Sequence, residues 1–335
     1  REGNDISEGK LVGGRVGMSA TGNYAPIVLF VYNRPEHTRR TVEALRANCL
    51  APQSRLFVFA DGPKNDGARP AVDDVRRYVT SIDGFASVEV MASEGNRGLA
   101  ASVIAGVTRI VGEFGRAVVL EDDMVTVSHF LDYMNEGLDL YQNDVDVATI
   151  QGHIYPLDLH SLPQSYFLPS LGCWGWGTWL RAWKDFEPDS ALLLKRIRSA
   201  KLSRRFDLDG SYPYTRLLER QAKGQVDSWA IRWYATNFLL GRMGLYPSRS
   251  LLENIGFDGS GIHCGSPESG GGLFNGELAG DYEPLRRIPI RVDEDILKAA
   301  GRALNRMLPP PLWVRGLKKI RRLLKTAVRG GERVG

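Results

Sequence analysis

Four short, continuous apolar runs alternate with helix-like segments in the first 125 residues, and this alternation constrains the fold more than any other feature. Each run is rich in β-forming residues and ends at a polar turn, whereas the segments between them carry apolar residues at helical spacing. The runs are PIVLFVY (26–32), RLFVFA (55–60), VEVMA (88–92) and AVVL (117–120), and the helical segments cover 35–48, 71–80 and 99–114. Strands that are apolar on both sides belong to a mostly parallel sheet covered by helices on both faces. The sequence therefore predicts an α/β fold.

Polar residues follow each of the four predicted strands. They are Asn33-Arg34, Asp61-Gly62, Asn96-Arg97-Gly98 and Glu121-Asp122-Asp123. In open α/β sheets, ligands bind in the crevice beyond the carboxyl ends of the strands. A polar loop after one strand is ordinary, but four such loops at one edge favour a binding site there.

The acidic triplet Glu121, Asp122 and Asp123 directly follows an apolar strand, and its charges repel one another. Two unit charges about 5 Å apart repel by roughly 3 kcal/mol at an effective dielectric constant near 20. Either solvent around a surface turn or a bound cation can offset this repulsion. The residues alone leave both explanations open.

The order and spacing of these motifs resemble the nucleotide-sugar-binding half of GT-A glycosyltransferases. A strand ends in Asp-Gly (61–62), an Asn-x-Gly turn (96–98) opens a helix, and a later strand ends in Glu-Asp-Asp. The Gly- and Trp-rich segment LGCWGWGTW (171–179) follows about 50 residues after the triplet. This combination is most similar to the N-acetylglucosaminyltransferase I family and its bacterial relatives. The resemblance covers residues 24–265 and implies a GT-A, Rossmann-like fold.

The resemblance also implies roles for the acidic residues. Asp61 would accept a hydrogen bond from the nucleobase, and Glu121 and Asp122 would face the ribose and the donor sugar. Asp123 would bind Mn²⁺ or Mg²⁺, which accept carboxylate oxygens and take further ligands from water and substrate phosphates. The metal ion would neutralise the departing nucleoside diphosphate. Related enzymes close this site with a His from a late loop, here His263, although a lone His is more often structural.

The segment EGNRGLA is predicted to lie on the phosphate side of the donor. Gly98 allows close backbone approach to a helix N-terminus, whose N–H groups and dipole attract anions. Arg97 or Arg34 would add positive charge. We also expect Asn33 and Asn96 to face the donor. The alternative is that this is an ordinary glycine turn, because most short glycine turns before helices bind nothing.

Four tryptophans lie within the segment GCWGWGTWLRAW. Trp179 and Trp183 are four residues apart, which favours a core-facing side of a helix. Trp174 and Trp176 lie in the glycine-rich portion, where glycines expose ring faces or permit tight turns. We therefore predict that Trp174 and Trp176 form walls of the sugar and acceptor pocket.

An inverting glycosyl transfer needs a base that takes the proton of the acceptor hydroxyl. The related enzymes carry Asp-Asp-Trp at the corresponding place, with the second Asp as the base, whereas this chain reads Asp227-Ser228-Trp229. Asp227 is the predicted catalytic base, because a serine cannot act as a base near neutral pH without help. The alternative role of Asp227 is N-capping of the helix that follows.

The sequence predicts three parts. Residues 1–23 form a disordered leader, and 24–265 form the glycosyltransferase domain, with a nucleotide-sugar half (24–125) and an acceptor half (126–265). Residues 266–335 contain a Gly- and Ser-rich linker and basic amphipathic helices, a C-terminal helical extension of the fold.

The positive charge of the chain is concentrated at its end. The formal net charge is +4, yet residues 312–335 carry eight Lys or Arg and one Glu. Residues 312–330 resemble an amphipathic helix that binds an anionic membrane surface, and the alternative is a helix packed on its own domain. A charge confined to the tail does not indicate a nucleic-acid-binding domain. Three scattered cysteines favour a reducing compartment, so we expect a cytoplasmic protein, peripheral on the inner face of the membrane.

These observations together predict a metal-dependent, inverting glycosyltransferase. The donor would be a nucleotide-diphosphate sugar, with UDP implied by the resemblance, and the acceptor a hydroxyl of a glycan or of a lipid-linked glycan. One alternative is a non-catalytic nucleotide-sugar- or glycan-binding protein on the same fold. The other is a sugar-phosphate nucleotidyltransferase, which is disfavoured because NRPEHTRRT after the first strand is a poor phosphate-binding loop.

Overall fold

The computed structural model describes residues 24–159, 161–259 and 275–308. Three predictions lie outside the described residues: the disordered leader, the role of His263 as a metal ligand, and the basic segment 312–330. None of the helices in the described part of the chain is long and apolar enough to span a membrane.

Strands and helices alternate over residues 27–121, as the sequence predicts, and a short strand that it did not predict follows directly. In order they are β1 (Ile27–Val31), α1 (Pro35–Arg46), β2 (Arg55–Ala60), α2 (Arg69–Val79), β3 (Ser87–Ala92), α3 (Leu99–Phe114), β4 (Arg116–Glu121) and β5 (Met124–Thr126). Pro35 occupies the first turn of α1, where its missing N–H costs no hydrogen bond. Gly115 ends α3 in the left-handed conformation, with φ of 77°.

The second part of the chain is richer in helices. Its elements are α4 (Phe130–Leu140), β6 (Val147–Gln151), β7 (Ser165–Leu168), β8 (Trp176–Trp179), α5 (Leu180–Trp183), α6 (Ser190–Ser199), α7 (Ser203–Phe206), α8 (Tyr214–Ala222), α9 (Trp229–Leu239), β9 (Met243–Pro247), β10 (Leu252–Asn254) and α10 (Glu294–Met307). Helices α6 to α9 share a separate apolar cluster that includes Phe206 and Tyr234.

Eight strands form one sheet in the order β3-β2-β1-β4-β8-β6-β9-β7. Strands β3, β2, β1 and β4 are parallel, β6 is parallel to β9, and β8 and β7 run antiparallel to their neighbours. Strands β5 and β10 form a separate antiparallel pair. The predicted α/β fold with a mostly parallel, Rossmann-like sheet is confirmed.

Helices cover both faces of this sheet, because its central strands are apolar on both sides. On one face, Val42 of α1 and Leu138 of α4 pack in one core cluster. On the other face, Val107 of α3 and Trp233 of α9 pack in a second cluster. Burial of these two clusters holds the carboxyl ends of β1, β2 and β4 in fixed register.

The segment after residue 275 packs against the far edge of the sheet. Val292 forms a parallel bridge with Phe167 of β7, and Ser250 forms one with Leu278. Asp293 caps α10, whose Ile296 packs in a cluster with residues of β7 and β9. Residues 275–307, within the predicted linker and C-terminal helical extension (266–335), therefore pack on the same sheet.

Candidate active site

The carboxyl ends of β1, β2 and β4 bring the predicted polar residues to one edge of the sheet. Strand β1 lies between the other two, with Val31 paired to Ala60 and Phe30 paired to Glu121. Arg34 and Asp61 therefore lie on the same edge as the acidic triplet. Asn33 is half-buried at this edge and precedes the first residue of α1 by two positions.

Arg34 neutralises two of the three carboxylates. Its Nη2 donates a hydrogen bond to Asp122 Oδ1 and another, 2.8 Å long, to Asp123 Oδ2. Both aspartates are 4% exposed. Burial lowers the pKa of Arg34, but the charges of Asp122 and Asp123 outweigh this effect and raise it overall. The guanidinium therefore keeps its charge between them.

Glu121 lies in an environment that favours its protonated form. Burial, followed by the charges of Asp123 and Asp122, raises the pKa of Glu121 from 4.5 to about 8. Trp229 at the start of α9 donates a side-chain hydrogen bond to this carboxyl group, which opposes the shift. Burial also raises the pKa of Asp122, against the lowering effect of Arg34. The triplet therefore carries less negative charge than its composition suggests.

One oxygen of Asp123 lacks a partner in the described part of the protein. Asp123 Oδ1 is buried and accepts no hydrogen bond there. The turn that covers Asp123 is held by a 2.9 Å bond from Ile255 N–H to the Asp123 carbonyl. A Cβ added to Gly256 would lie 2.3 Å from Asp123 Oδ2, so only glycine fits against this carboxylate.

This oxygen fits the predicted metal ion. A buried carboxylate oxygen that accepts no hydrogen bond is costly unless a ligand completes it, and Mn²⁺ and Mg²⁺ prefer such oxygens. Among the described residues, no group of three or more His, Cys, Asp or Glu side chains could hold a metal ion. A metal ion at Asp123 would therefore take most of its ligands from elsewhere, as a nucleotide diphosphate and water can supply.

The carboxylate of Asp61 is fully engaged. Oδ1 accepts from Gly62 N–H and Arg97 N–H, both at 2.8 Å, and Oδ2 accepts from Asn96 Nδ2 at 3.0 Å and Gly98 N–H at 2.9 Å. An ionised carboxylate offers about four acceptor positions. In this conformation none remains for a nucleobase, contrary to the predicted role of Asp61.

The same bonds change the prediction for the phosphate-binding turn. The N–H groups of Arg97 and Gly98 point at Asp61, so they are not available to an anion. Gly98 is needed for its conformation, because its φ of 78° favours glycine. The Arg97 side chain, together with Arg109, lines a cavity of about 270 Å³ beside Asp61 and remains the cationic part of this turn.

The two predicted pocket tryptophans occupy different environments. Trp176 is 0% exposed and stacks on Trp229, with ring centroids 5.2 Å apart, so its prediction as a pocket wall is wrong. It lies in strand β8 and points into the core between the sheet and α9. Trp179 and Trp183 are buried as predicted, but Trp179 is a strand residue, and the two pack in different core clusters.

Trp174 belongs to an aromatic cluster at the site edge. Its ring lies 4.6 Å from His153, 6.1 Å from Tyr155 and 5.6 Å from Phe257, measured between centroids. Phe257 follows Gly256, which contacts Asp123. The cluster therefore adjoins the acidic triplet, and the role of Trp174 as a wall of the sugar pocket stays a prediction.

Sequence reasoning missed His153, Tyr155 and Phe257. A signal was present for the first two, because GHIYP directly follows β6, whose carboxyl end lies on the same edge as that of β4. Tyr155 also lines a cleft of about 820 Å³. His129, Glu277 and Asp281 contribute polar groups to this cleft.

Asp227 lies on the surface just before α9. Its side chain is 66% exposed, and Oδ1 accepts a 3.2 Å bond from Arg232. The N-cap of α9 is Ser228, whose hydroxyl accepts from Ile231 N–H, so Asp227 does not have the predicted alternative role of a cap. The indole of Trp229, two residues further on, donates a hydrogen bond to Glu121.

Comparison with known proteins adds little to this picture. No family model matches the sequence, and no curated protein matches it. The crystal structure of apo mouse xyloside xylosyltransferase 1 aligns over 64% of this chain and 82% of that chain, with a TM-score of 0.32 and 9% sequence identity. At this TM-score the likeness carries no argument about function. The family resemblance seen in the sequence stays a prediction.

Proposed function

We propose that this chain is a metal-dependent, inverting glycosyltransferase that transfers a sugar from a nucleotide-diphosphate donor, a UDP-sugar, to a hydroxyl of a glycan or lipid-linked acceptor. The observation that carries the proposal is Oδ1 of Asp123 at the carboxyl edge of the sheet, which is buried and has no hydrogen-bond partner among the described residues, with Arg34 beside it. Asp123 would supply one metal ligand, and Arg34 one fixed positive charge, where an activated sugar phosphate would lie.

The residues around Asp123 divide the work of binding. Asp123 would hold Mn²⁺, or Mg²⁺, which would act as a Lewis acid on the departing nucleoside diphosphate. Arg34 and Arg97 would hold phosphate oxygens, and a protonated Glu121 can donate a hydrogen bond to a sugar or ribose hydroxyl. Trp174 would stack on a sugar face and exclude water that would otherwise hydrolyse the donor.

Asp227 is the proposed base. Its Oδ2 accepts no hydrogen bond from the described residues, so this oxygen can take the proton of an acceptor hydroxyl. Arg232, which donates a hydrogen bond to Oδ1, would keep the carboxylate oriented. The acceptor would approach through the 820 Å³ cleft lined by Tyr155 and reach the donor along the aromatic cluster.

The test is release of nucleoside diphosphate from a panel of nucleotide-sugars, with glycan acceptors, in Mn²⁺ or in EDTA. We expect Mn²⁺-dependent release that Asp123→Ala reduces by about 100-fold or more while the protein stays folded. Asp66→Ala, at a fully exposed side chain, is the matched control and should behave as the unchanged protein. Full activity of Asp123→Ala would overturn the ligand assignment.

Asp227→Asn tests the base. General-base catalysis contributes typically 10²–10⁴-fold, so transfer should fall by about that factor while donor binding is unchanged. The matched control is Asp83→Asn, because the Asp83 side chain is 82% exposed. Asp207→Asn is not suitable, because the Asp207 carboxylate accepts a hydrogen bond from Thr215 N–H. Unchanged transfer by Asp227→Asn would place the base elsewhere.

A second candidate is a non-catalytic nucleotide-sugar-binding protein on the same fold. The pairing of Asp227 with Arg232 at the surface favours it, because that pair serves equally as an ordinary surface ion pair. Binding of a nucleotide-sugar without any Mn²⁺-dependent turnover, over the whole acceptor panel, would favour this candidate over the enzyme.

We further propose that the protein is cytoplasmic and docks on an anionic membrane through residues 312–330. The support is the amphipathic, basic pattern of that segment. The full chain should co-sediment with vesicles that contain phosphatidylglycerol, and not with phosphatidylcholine vesicles. A chain truncated after Leu308 that sediments equally well would contradict this proposal.

A further inference from the structure

Arg34 uses only part of its hydrogen-bonding capacity on the acidic pair. A single nitrogen, Nη2, bonds both Asp122 and Asp123. A guanidinium has five N–H donors on three nitrogens. Within the described residues, Nε and Nη1 of Arg34 donate no hydrogen bond to the protein, and Nη1 lies beside Gly256.

The ion pairs of Arg34 are shielded from solvent. The Arg34 side chain is 18% exposed, and those of Asp122 and Asp123 are 6% and 5% exposed. Loss of one partner from such a pair is strongly unfavourable, because the remaining charge has neither water nor a counter-ion. Arg34 therefore has to stay near the two carboxylates when no ligand is bound.

The site then has two groups of opposite character that the described residues leave incomplete. Asp123 Oδ1 is an anionic acceptor without a donor, and the remaining N–H groups of Arg34 are cationic donors without an acceptor. A divalent cation alone would complete Asp123 but would be repelled by the adjacent guanidinium. A diphosphate alone would complete Arg34 but would be repelled by the carboxylates. A cation and a diphosphate together would complete both.

We infer that Arg34 makes binding of the divalent cation conditional on the diphosphate of the nucleotide. Arg34 acts as the internal counter-ion of Asp122 and Asp123 in the ligand-free protein, and it holds phosphate oxygens once the cation and the nucleotide bind together. The free protein consequently rejects divalent cations and accepts them as the cation–nucleotide pair. This inference rests on the proposed nucleotide-sugar function of the same site.

The first test is the affinity for Mn²⁺ alone, measured from the EPR signal of free Mn²⁺ without nucleotide. Arg34→Gln removes the repelling charge and should bind Mn²⁺ on the order of tenfold more tightly than the unchanged protein. The matched control is Arg39→Gln, an exposed arginine on the same helix that pairs only with Glu36 and Glu43 in the described residues. Equal Mn²⁺ affinity of Arg34→Gln and the unchanged protein would overturn the inference.

The second test measures coupling between Mn²⁺ and nucleotide. Affinities for UDP and for GDP are measured by calorimetry with and without Mn²⁺. By thermodynamic linkage, the factor by which Mn²⁺ changes the nucleotide affinity equals the factor by which the nucleotide changes the Mn²⁺ affinity. In the unchanged protein, Mn²⁺ should raise the affinity for at least one of the two nucleotides by about tenfold or more. In Arg34→Gln this increase should be clearly smaller. If Arg34→Gln does not fold, the test uses the unchanged protein only. An increase in nucleotide affinity of less than about twofold on addition of Mn²⁺ then overturns the inference.

The inference and the proposed function fail separately. If Mn²⁺ and nucleotide binding depend on Arg34 but no nucleotide-sugar is turned over, the inference stands and the catalytic proposal is wrong. If sugar transfer depends on Mn²⁺ and Asp123 but Arg34→Gln does not change Mn²⁺ affinity, the catalytic proposal stands and the inference is wrong.

Discussion

Asp61 follows β2 and Asp123 follows β4, two parallel strands of one sheet with β1 between them, and the two carboxylates differ in how far the protein satisfies them. Asp61 accepts four hydrogen bonds, three of them from backbone N–H groups, and fixes the Asn96–Gly98 turn. In Asp123, Oδ2 accepts a hydrogen bond from Arg34, and the buried Oδ1 has no partner in the described residues. The first carboxylate is complete within the protein, and the second is not.

The difference shows that position at a strand end does not make an aspartate a ligand. Both residues match the rule that sites lie at the carboxyl ends of parallel strands. The two differ in the donors that the fold brings to them. The Asn96–Gly98 turn and Gly62 donate to the carboxylate of Asp61, whereas among the described residues the carboxylate of Asp123 accepts a hydrogen bond only from the side chain of Arg34. Unfilled acceptor capacity in a buried carboxylate is the better indicator of a ligand site.

The largest expected effect is on the complete carboxylate. Asp61→Ala removes four hydrogen bonds to a charged acceptor and leaves three N–H groups to find new partners, so it should lower the free energy of unfolding by about 3 kcal/mol. Asp123→Ala removes one oxygen that has no partner in the described residues and one that accepts from Arg34, but Arg34 keeps Asp122 as its counter-ion, so the loss should be smaller, about 1 kcal/mol. Urea unfolding measures both, and the reverse order would refute the distinction between the two sites.

The next effect is the pH dependence of stability near the incomplete site. The pKa of Glu121 is about 8 in the folded chain, against an ordinary value of 4.5, so the folded chain binds more protons between these limits. Metal-free protein should therefore lose stability as the pH rises from 5 to 8, on the order of 2 kcal/mol. Glu121→Gln cannot ionise and should lose less over the same range.

Thermal melts at pH 5, 6.5 and 8 in EDTA measure this difference. Glu113→Gln, at an exposed position of α3, is the matched control and should keep the pH dependence of the unchanged chain. An identical pH dependence in Glu121→Gln would mean that Glu121 titrates at its ordinary pKa, in which case the triplet is solvated rather than crowded.

A smaller effect is expected from closing the space beside Asp123. In Gly256→Ala the new Cβ would lie 2.3 Å from Asp123 Oδ2 and 3.1 Å from Arg34 Nη1, so the turn must shift. We expect a loss of about 1–2 kcal/mol in unfolding free energy. Gly112→Ala, in α3 with nothing within 4 Å of the new Cβ, should be neutral or stabilising. Equal stability of the two variants would show that the turn does not pack on Asp123.

The strands and helices of the first 125 residues could be predicted because their signals are local. Strand β2 and helix α3 have the predicted ends, and α1 ends two residues earlier than expected. Continuous apolar runs, Pro35 at a helix start and turn-forming residues after each strand specify these elements without reference to the rest of the chain.

The site was harder to predict because it depends on contacts between distant segments. Trp176 looked like part of a glycine-rich loop, but pairing with β4 and β6 makes its segment a central strand and buries its ring. Asp61 is filled by the Asn96–Gly98 turn, some 35 residues later in the chain. Phe257, which contacts Trp174, lies three residues after β10, and β10 pairs with the distant strand β5. No local pattern encodes these contacts.

The central claim is that Asp123 is the carboxylate at which a divalent cation and a nucleotide diphosphate bind together. The most direct measurement is an EPR titration of Mn²⁺ in the presence of saturating UDP, for the unchanged chain and for Asp123→Ala, with folding checked by urea unfolding. The account predicts one Mn²⁺ bound per unchanged chain and none per Asp123→Ala chain over the same concentrations. Equal Mn²⁺ binding by the two proteins would contradict it.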